Sequence, residues 1–404
     1  MNILVLNCGS SSIKYQLLNM TGEPVVLAKG IADKIGLPMG KFTHKPSGKA
    51  TLDAEQPIRD HAEGVNMILE ALRSEERGVV KSLDEIRAVG HRVAHGGEYF
   101  SESVRIDEEV KRKIAACNEL APLHNPAHLT GIEALEKLLP GVPQVAVFDT
   151  SFHQTLPEEA YVYGLPLELY RKYGVRRYGF HGTSHAFVAR KACRLLGWNI
   201  EEKRIITCHL GNGSSITAID RGRSVDTSMG FTPNAGVIMG TRAGDADMGA
   251  LLFLMEKEGL DAAGANDLIN KRSGLMGISG VSSDCRELWE AVGKGSKEAR
   301  LALDILCYHV KKYIGSYAAV LNGVDLVIFT GGIGENDHAV RRAACANMQY
   351  LGIDFDDAAN DKVRGQDKVL TRPGSKVTVM SINTDEELVI ATDTMRLARG
   401  ASLD

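Results

Sequence analysis

A glycine-serine segment occurs twice in this chain, once near the start and again half a chain later, each time directly after an apolar run. The first copy is Ile3-Leu4-Val5-Leu6 followed by Asn7-Cys8-Gly9-Ser10-Ser11-Ser12-Ile13-Lys14. The second is Ile205-Ile206-Thr207-Cys208 followed by His209-Leu210-Gly211-Asn212-Gly213-Ser214-Ser215-Ile216. Both read as a buried strand entering a tight turn and leaving along a second strand. Glycine gives such a turn access to positive φ and lets a ligand approach the backbone. Clustered N–H groups and serine hydroxyls there form a concave anion site. Two such turns can face one another and hold a chain of phosphates from both sides. The repeat therefore predicts a duplicated nucleotide-binding fold with a cleft between its halves.

Composition narrows the class. A chain of 404 residues is long enough for two or three domains, and 44% hydrophobic with 24% charged residues suits a globular protein. A net charge of -4 argues against nucleic-acid binding through a general basic surface, so an anionic substrate must be held by locally placed arginines. The seven cysteines form no C-x-x-C pair and mostly sit in apolar runs, which reads as reduced packing residues of a cytoplasmic protein. The chain enters a strand at once, with no export signal, and no apolar stretch nears the roughly 20 residues that span a bilayer.

Apolar strands alternate with amphipathic helices, the α/β signature. Strands are expected at Ile3–Leu6, around Ala88-Val89, and at Val145–Phe148, Ile205–Cys208, Leu326–Phe329 and Val377–Ile382. Ser184 reads as the cap of a helix over His185–Leu196 that Gly197 stops. Asp245 and Asp247 mark the start of a helix running to Glu258. A long helix runs from Lys297 to Asn322-Gly323, with Leu301, Ile305, Leu306, Val310, Ile314, Tyr317 and Leu321 at helical spacing. A last helix covers Glu386–Ala398. The Gly36–Ile58 segment reads as an extended excursion on the first domain. The first lobe is residues 1–150, completed by 385–404, and the second is residues 151–384.

A third glycine turn, Thr330-Gly331-Gly332-Ile333-Gly334-Glu335-Asn336, again follows an apolar run. It fits neither the Walker A nor the dinucleotide fingerprint. Each turn alone reads as an ordinary loop; three after buried strands do not. Arg92, between His91 and the Gly96-Gly97 bend, reads equally well as a solvated surface arginine. Arg242 sits between glycines near an expected helix start, where the helix dipole disfavours a cation, and that conflict favours function. His181 lies on a glycine turn, and His124 precedes Asn125-Pro126, where a packed loop histidine is the bland alternative. Asp149 ends a strand, where α/β crevices open; the alternative is a turn cap. Asp284 reads at least in part as a helix cap, and Glu386 suits a helix start electrostatically.

Taken in order, these segments resemble the acetokinase family, within the superfamily of acetate and sugar kinases, heat-shock chaperones and actin. The likeness spans Asn7–Lys14, Gly90-His91-Arg92, Phe148–His153, Gly179–His185, His209–Ser215, Met239–Arg242, Thr330–Asn336 and Glu386-Glu387. It implies a two-lobed, duplicated ribonuclease H-like fold of the actin-like ATPase type. It also implies reversible transfer of the ATP γ-phosphoryl to acetate, giving acetyl phosphate and ADP, with Mg²⁺ (or Mn²⁺) as the metal and a homodimer formed through the second lobe. By resemblance, Asn7 and Glu386 are metal-associated. Lys14, His209, Leu210, Gly211, Asn212, Gly213, Asp284, Cys285, Arg286, Gly332, Ile333, Gly334, Glu335 and Asn336 are nucleotide contacts. Arg92 holds the substrate carboxylate, Asp149 is the essential acid, and His181 and Arg242 stabilise the transition state. Ala94, Leu123, Phe180 and Pro233 match the small apolar acyl pocket. Ala94 is smaller than the valine often found there, which leaves room for about one methyl group, a difference worth roughly 1–3 kcal/mol. Propionate is thus a second candidate substrate.

Acetate is already an anion at neutral pH, so no base is required, and Asp149 is better suited to organising the metal and its waters. Phosphoryl transfer asks the protein mainly to position groups and offset charge. Two other classes share the phosphate turns. An actin- or chaperone-type ATPase switch has no use for Arg92, His181 and Arg242 around a small pocket. A sugar or glycerol kinase needs a base and polar contacts, which Leu123, Phe180 and Pro233 do not supply.

Overall fold

The computed structural model describes residues 1–400; the last four residues of the 385–404 segment lie outside it. Two compact units emerge, one from Met1–Ser151 together with the chain from Asp385 on, the other from Phe152–Thr384. The first contains β1 (Asn2–Cys8), β2 (Ser12–Asn19), β3 (Val25–Asp33), β4 (Gly40–Pro46), β5 (Leu52–Gln56), β6 (Ile86–Val93), β7 (Val104–Arg105) and β8 (Gln144–Phe148), in the order β5-β4-β3-β2-β1-β6-β8-β7. The second contains β9 (Arg204–Leu210), β10 (Ser214–Asp220), β11 (Arg223–Thr227), β12 (Leu326–Thr330), β13 (Lys368–Val369) and β14 (Thr378–Ser381), in the order β11-β10-β9-β12-β14-β13.

The two sheets repeat one plan. In each, a central strand pairs antiparallel with its successor, β1 with β2 and β9 with β10. On its other side it pairs parallel with a strand delivered by a crossover, β1 with β6 and β9 with β12. A further parallel strand follows, β8 or β14. This is the duplicated ribonuclease H-like α/β fold. The glycine-serine segments form the β1–β2 and β9–β10 turns.

Strand alternation divides each core between two faces. Ile3 and Val5 pack with Ile390 and Ala391 of the Glu386–Ala398 helix. Leu4 and Leu6 face the opposite cluster, with Val65, Ile68 and Leu135 of the His61–Arg73 and Asn125–Leu138 helices. In the second unit, Ile206, Cys208, Val327 and Phe329 pack against the Lys297–Val320 helix. That helix buries Ala299, Ala302, Leu303, Leu306, Val310, Ile314 and Tyr317, whereas Leu301 is exposed; small alanines, not Leu301, fill the tight end of the stripe.

The Gly36–Ile58 segment, read from sequence as an extended excursion on the first domain, supplies β4 and β5 and so extends the sheet from β3. Two local expectations are corrected. The helix expected to begin at His185 starts at Gly182, with His181 at its cap and Ser184 inside. The helix expected near Asp245 begins at Met248, capped by Asp247, so Arg242 lies in a loop and the dipole argument does not apply to it.

Candidate active site

In the first unit, parallel strands bring Asn7, Arg92 and Asp149 together at their carboxyl ends. Leu6 is in register with His91, and Val93 with Phe148, so the residues just beyond converge. Arg92 donates from Nε to Asp149 Oδ1 at 2.9 Å and from Nη2 to Oδ2 at 2.5 Å. Its Nη1 donates to Asn7 Oδ1 at 3.3 Å. Asp149 is buried and Arg92 largely so. Burial disfavours the guanidinium cation, but the Asp149 charge and hydrogen bonds outweigh this and hold Arg92 protonated.

The Glu386–Ala398 helix starts beside this pair, capped by Asp385, which accepts from Leu388 N. Burial pushes the Glu386 carboxyl up; Arg92 and Lys14 pull it back, while Asp149 adds to the rise. Glu387 is also pushed up, first by burial. Asn7, Lys14, Arg92, Glu386 and Glu387 line a cavity of about 20 Å³, roughly the space one water or small ion needs. Two carboxylates here face two cations, and the atoms of Asn7, Glu386 and Glu387 able to ligate a metal are hard oxygens, which suit Mg²⁺. Among the described residues no cluster of three or more His, Cys, Asp or Glu side chains forms a metal cage. Ala94 is buried near this site's strand end, and Leu123 is 62% exposed.

The second unit holds a separate set. His181 sits at φ +57, a left-handed position that is strained for a residue other than glycine. Ser215 Oγ lies 2.9 Å from His181 Nδ1 and 2.7 Å from His185 Nε2 and so ties both rings to β10. The His181 ring stacks on His209 at 4.3 Å. Ser184 Oγ bonds His209 Nδ1 at 2.8 Å, which explains why this serine lies inside its helix and not at the cap. A side chain at Gly213 would lie within 3.4 Å of Arg242 Nη1 and 3.6 Å of His181 Cε1, so the β9–β10 turn, the histidine and the arginine adjoin. Arg242 Nη1 donates to Pro233 O at 3.0 Å. Phe180 packs with Met229 and Met239.

A cavity of about 1090 Å³ opens on the same unit, lined by Gly211, Asn212, Asp284, Cys285, Arg286, Gly332, Ile333 and Asn336. The sequence singled out all eight. Its wall also includes Ser283, Trp289, Asp337, His338, Ala339 and Arg364, which it did not. Asp337 and His338 directly follow the third glycine turn, and that adjacency was the available signal. Asp284 caps the Cys285–Gly293 helix and grips Arg286, whose hydrogen bonds lower the Asp284 pKa. Trp289 Nε1 donates to Asp337 Oδ2 at 2.8 Å. The third turn is a short helix, Gly331–Asn336, entered through Gly331 at φ +76, where a Cβ would stand 2.7 Å from Leu210 O. Glu335 Oε1 accepts from Gly331 N and Thr384 N and so braces the turn. Leu210 and Gly334 are buried, Leu210 within the core.

The arrangement defines a class: a phosphotransferase of the duplicated ribonuclease H-like fold, with an acid–arginine pair at the strand ends of its first unit and a histidine–arginine set beside the β9–β10 turn of its second. The acetokinase family model matches residues 2–392, and the chain belongs to that family. It is 56% identical to acetate kinase of Parabacteroides distasonis over 400 residues, 98% of this chain and 99% of that one. It is likewise 56% identical to acetate kinase of Heliobacterium modesticaldum, covering 99% and 100% of the two chains. Porphyromonas gingivalis acetate kinase superposes with a TM-score of 0.95 at 51% identity, covering 98% and 99% of the two chains. A propionate kinase from Francisella tularensis reaches 0.90 at 39% identity, with the same coverage.

Proposed function

We propose that this chain is a carboxylate kinase that transfers the γ-phosphoryl of ATP reversibly and in line to acetate, giving acetyl phosphate and ADP. The full-length likeness to acetate kinases at 51–56% identity carries the reading; the propionate kinase is less similar at 39%.

The obstacle is repulsion between two anions, and the residues answer it. Arg92 fixes the acetate carboxylate. Arg242 and His181 act on the equatorial oxygens of the moving phosphoryl, where donors preorganised away from water are worth most. Asp149 keeps Arg92 oriented and charged, which requires no proton transfer. The acyl contacts proposed from the family resemblance are Ala94 and Leu123 in the first unit and Phe180 and Pro233 in the second. The β9–β10 turn and Lys14 hold phosphates, while Asp284, Ile333 and Asn336 hold the nucleoside. Asn7 and Glu386 would hold Mg²⁺, an ion that takes few protein ligands. When bound, Mg²⁺ offsets charge on the β- and γ-phosphates.

We further propose a homodimer formed through the second unit. The Met248–Glu258 helix has no buried residue, yet it presents Met248, Leu252, Phe253 and Leu254 to solvent, an apolar face that a second copy would cover. Cytoplasmic residence is supported by seven free, buried cysteines. No described helix is long and apolar enough to cross a membrane.

The test is hydroxylamine trapping of acyl phosphate with acetate, propionate and butyrate in the presence of ATP and Mg²⁺. Acetyl hydroxamate that disappears on chelation supports the reading. ATP hydrolysis with no hydroxamate would instead favour the ATPase-switch alternative.

A further inference from the structure

The residues assigned to the reaction in the second unit come from two segments. Phe180 and His181 follow Arg177 closely; Pro233 and Arg242 lie on the loop that leaves β11 at Thr227. One guanidinium joins the two segments. Arg177 Nη1 donates to three successive carbonyls, Thr227 O at 2.8 Å, Ser228 O at 3.2 Å and Met229 O at 3.3 Å. Its Nε donates to Ala160 O at 3.2 Å, and Asp226 stands 3.9 Å away as its counter-charge. Beside it, Tyr178 N and Gly179 N both donate to Gly230 O. Next along the loop, Phe231 N donates to Tyr163 Oη at 2.7 Å. The far end of the loop is closed where Gly236 N donates to Asp245 Oδ1 and Asp245 N donates to Gly236 O, each at 2.8 Å. Between these anchors lie Pro233 and Arg242, bonded to one another.

We infer that Arg177 is a positioning residue for phosphoryl transfer, which sets the register of the Pro233–Arg242 loop against Phe180 and His181. The inference rests on the proposed carboxylate-kinase reading. Arg177 has no place among the reacting groups; it acts through the backbone. Three carbonyls in a row converge on one nitrogen, so the chain at Thr227–Met229 cannot shift without breaking all three bonds. Met229 then carries that constraint directly to Phe180, against which it packs. Lysine can keep the charge beside Asp226, but it lacks the fork that reaches Ala160 O and the carbonyl row together.

The test compares Arg177→Met and Arg177→Lys with the parent enzyme, reading kcat, KM for ATP, KM for acetate, the acetate-to-propionate ratio and Tm. Displacement of a reacting group by about 1 Å costs on the order of 100-fold in rate, and Arg177→Met is expected to lose kcat on that scale. KM for ATP stays within about twofold of the parent, because the nucleoside cavity is built from other segments. The acetate-to-propionate ratio shifts, and Arg177→Lys recovers part of kcat. Where Arg177→Met does not fold, Tyr163→Phe removes the anchor at Phe231 N and is expected to show the same split on a smaller scale. A folded Arg177→Met with parental kcat would overturn the inference. So would kcat and ATP affinity falling in parallel with Tm and no change in acyl selectivity. A parent enzyme that makes no acyl phosphate would instead sink the carboxylate-kinase reading.

Discussion

Arg92 grips Asp149 through two parallel hydrogen bonds, Nε to Oδ1 at 2.9 Å and Nη2 to Oδ2 at 2.5 Å, across the ends of β6 and β8. The pair keeps a cation fixed at a strand end that burial would otherwise discharge or displace. Asp149→Ala leaves Arg92 without its counter-charge. The expected cost is about 3 kcal/mol of stability, the low end for a broken buried pair because Arg92 keeps some exposure. Activity is expected to fall by about 10²–10³, as when a preorganised charge partner is removed. Thermal unfolding and kcat measured together check this; a variant with parental turnover would rule out the role.

Burial depresses the pKa of several histidines. That of His91 falls to about 4, with its bond to Gln144 only partly opposing the effect, and that of His95 falls to about 3. His185 is also shifted well down by burial. The folded protein therefore binds fewer protons than the unfolded chain between pH 6.5 and about 4. Stability is expected to be full above pH 6.5 and to fall through that window, by about 1.4 kcal/mol per pH unit for each such histidine. In His91→Asn the slope of unfolding free energy against pH should be shallower by about one proton. A parent protein whose stability is flat from pH 7 to 4.5 would contradict this.

Ala94 is buried just past the end of β6. Ala94→Val is expected to lower propionate turnover relative to acetate by about 10-fold, the scale of discrimination by one methyl group. Competition between the two acids in one assay gives the ratio directly. An unchanged ratio would mean that another residue sets the pocket size.

The exposed apolar helix at Met248–Glu258 makes a separate prediction. Phe253→Glu places a charge where the proposed partner copy packs, and light scattering should then report a monomer where the parent is a dimer. A monomeric parent, or a dimeric variant, would show that this face is not the interface.

Much of the fold was legible because helix ends carry local chemistry. The helix at Glu386–Ala398 matches its expected limits, and the one at Lys297 starts at its Ser296 cap. The outer strands of the first sheet beyond β3 were not legible. β4 alternates lysines with Phe42 and His44, and exposed lysines on an outer strand look like loop composition. Ser184 misled because its hydroxyl serves His209 across the core, a contact that no local pattern records. In the large cavity of the second unit, the glycine turns drew attention to the residues near them, whereas Arg364 arrives from a loop with no motif of its own. His181 at φ +57 is a strain that only coordinates reveal.

In the proposed reaction, cations neutralise two mutually repelling anions during transfer. Steady-state kinetics of Arg242→Ala test it most directly. In this variant kcat is expected to fall by about 10²–10³ while KM for ATP stays within about twofold. A variant with near-parental kcat that only binds ATP more weakly would contradict it.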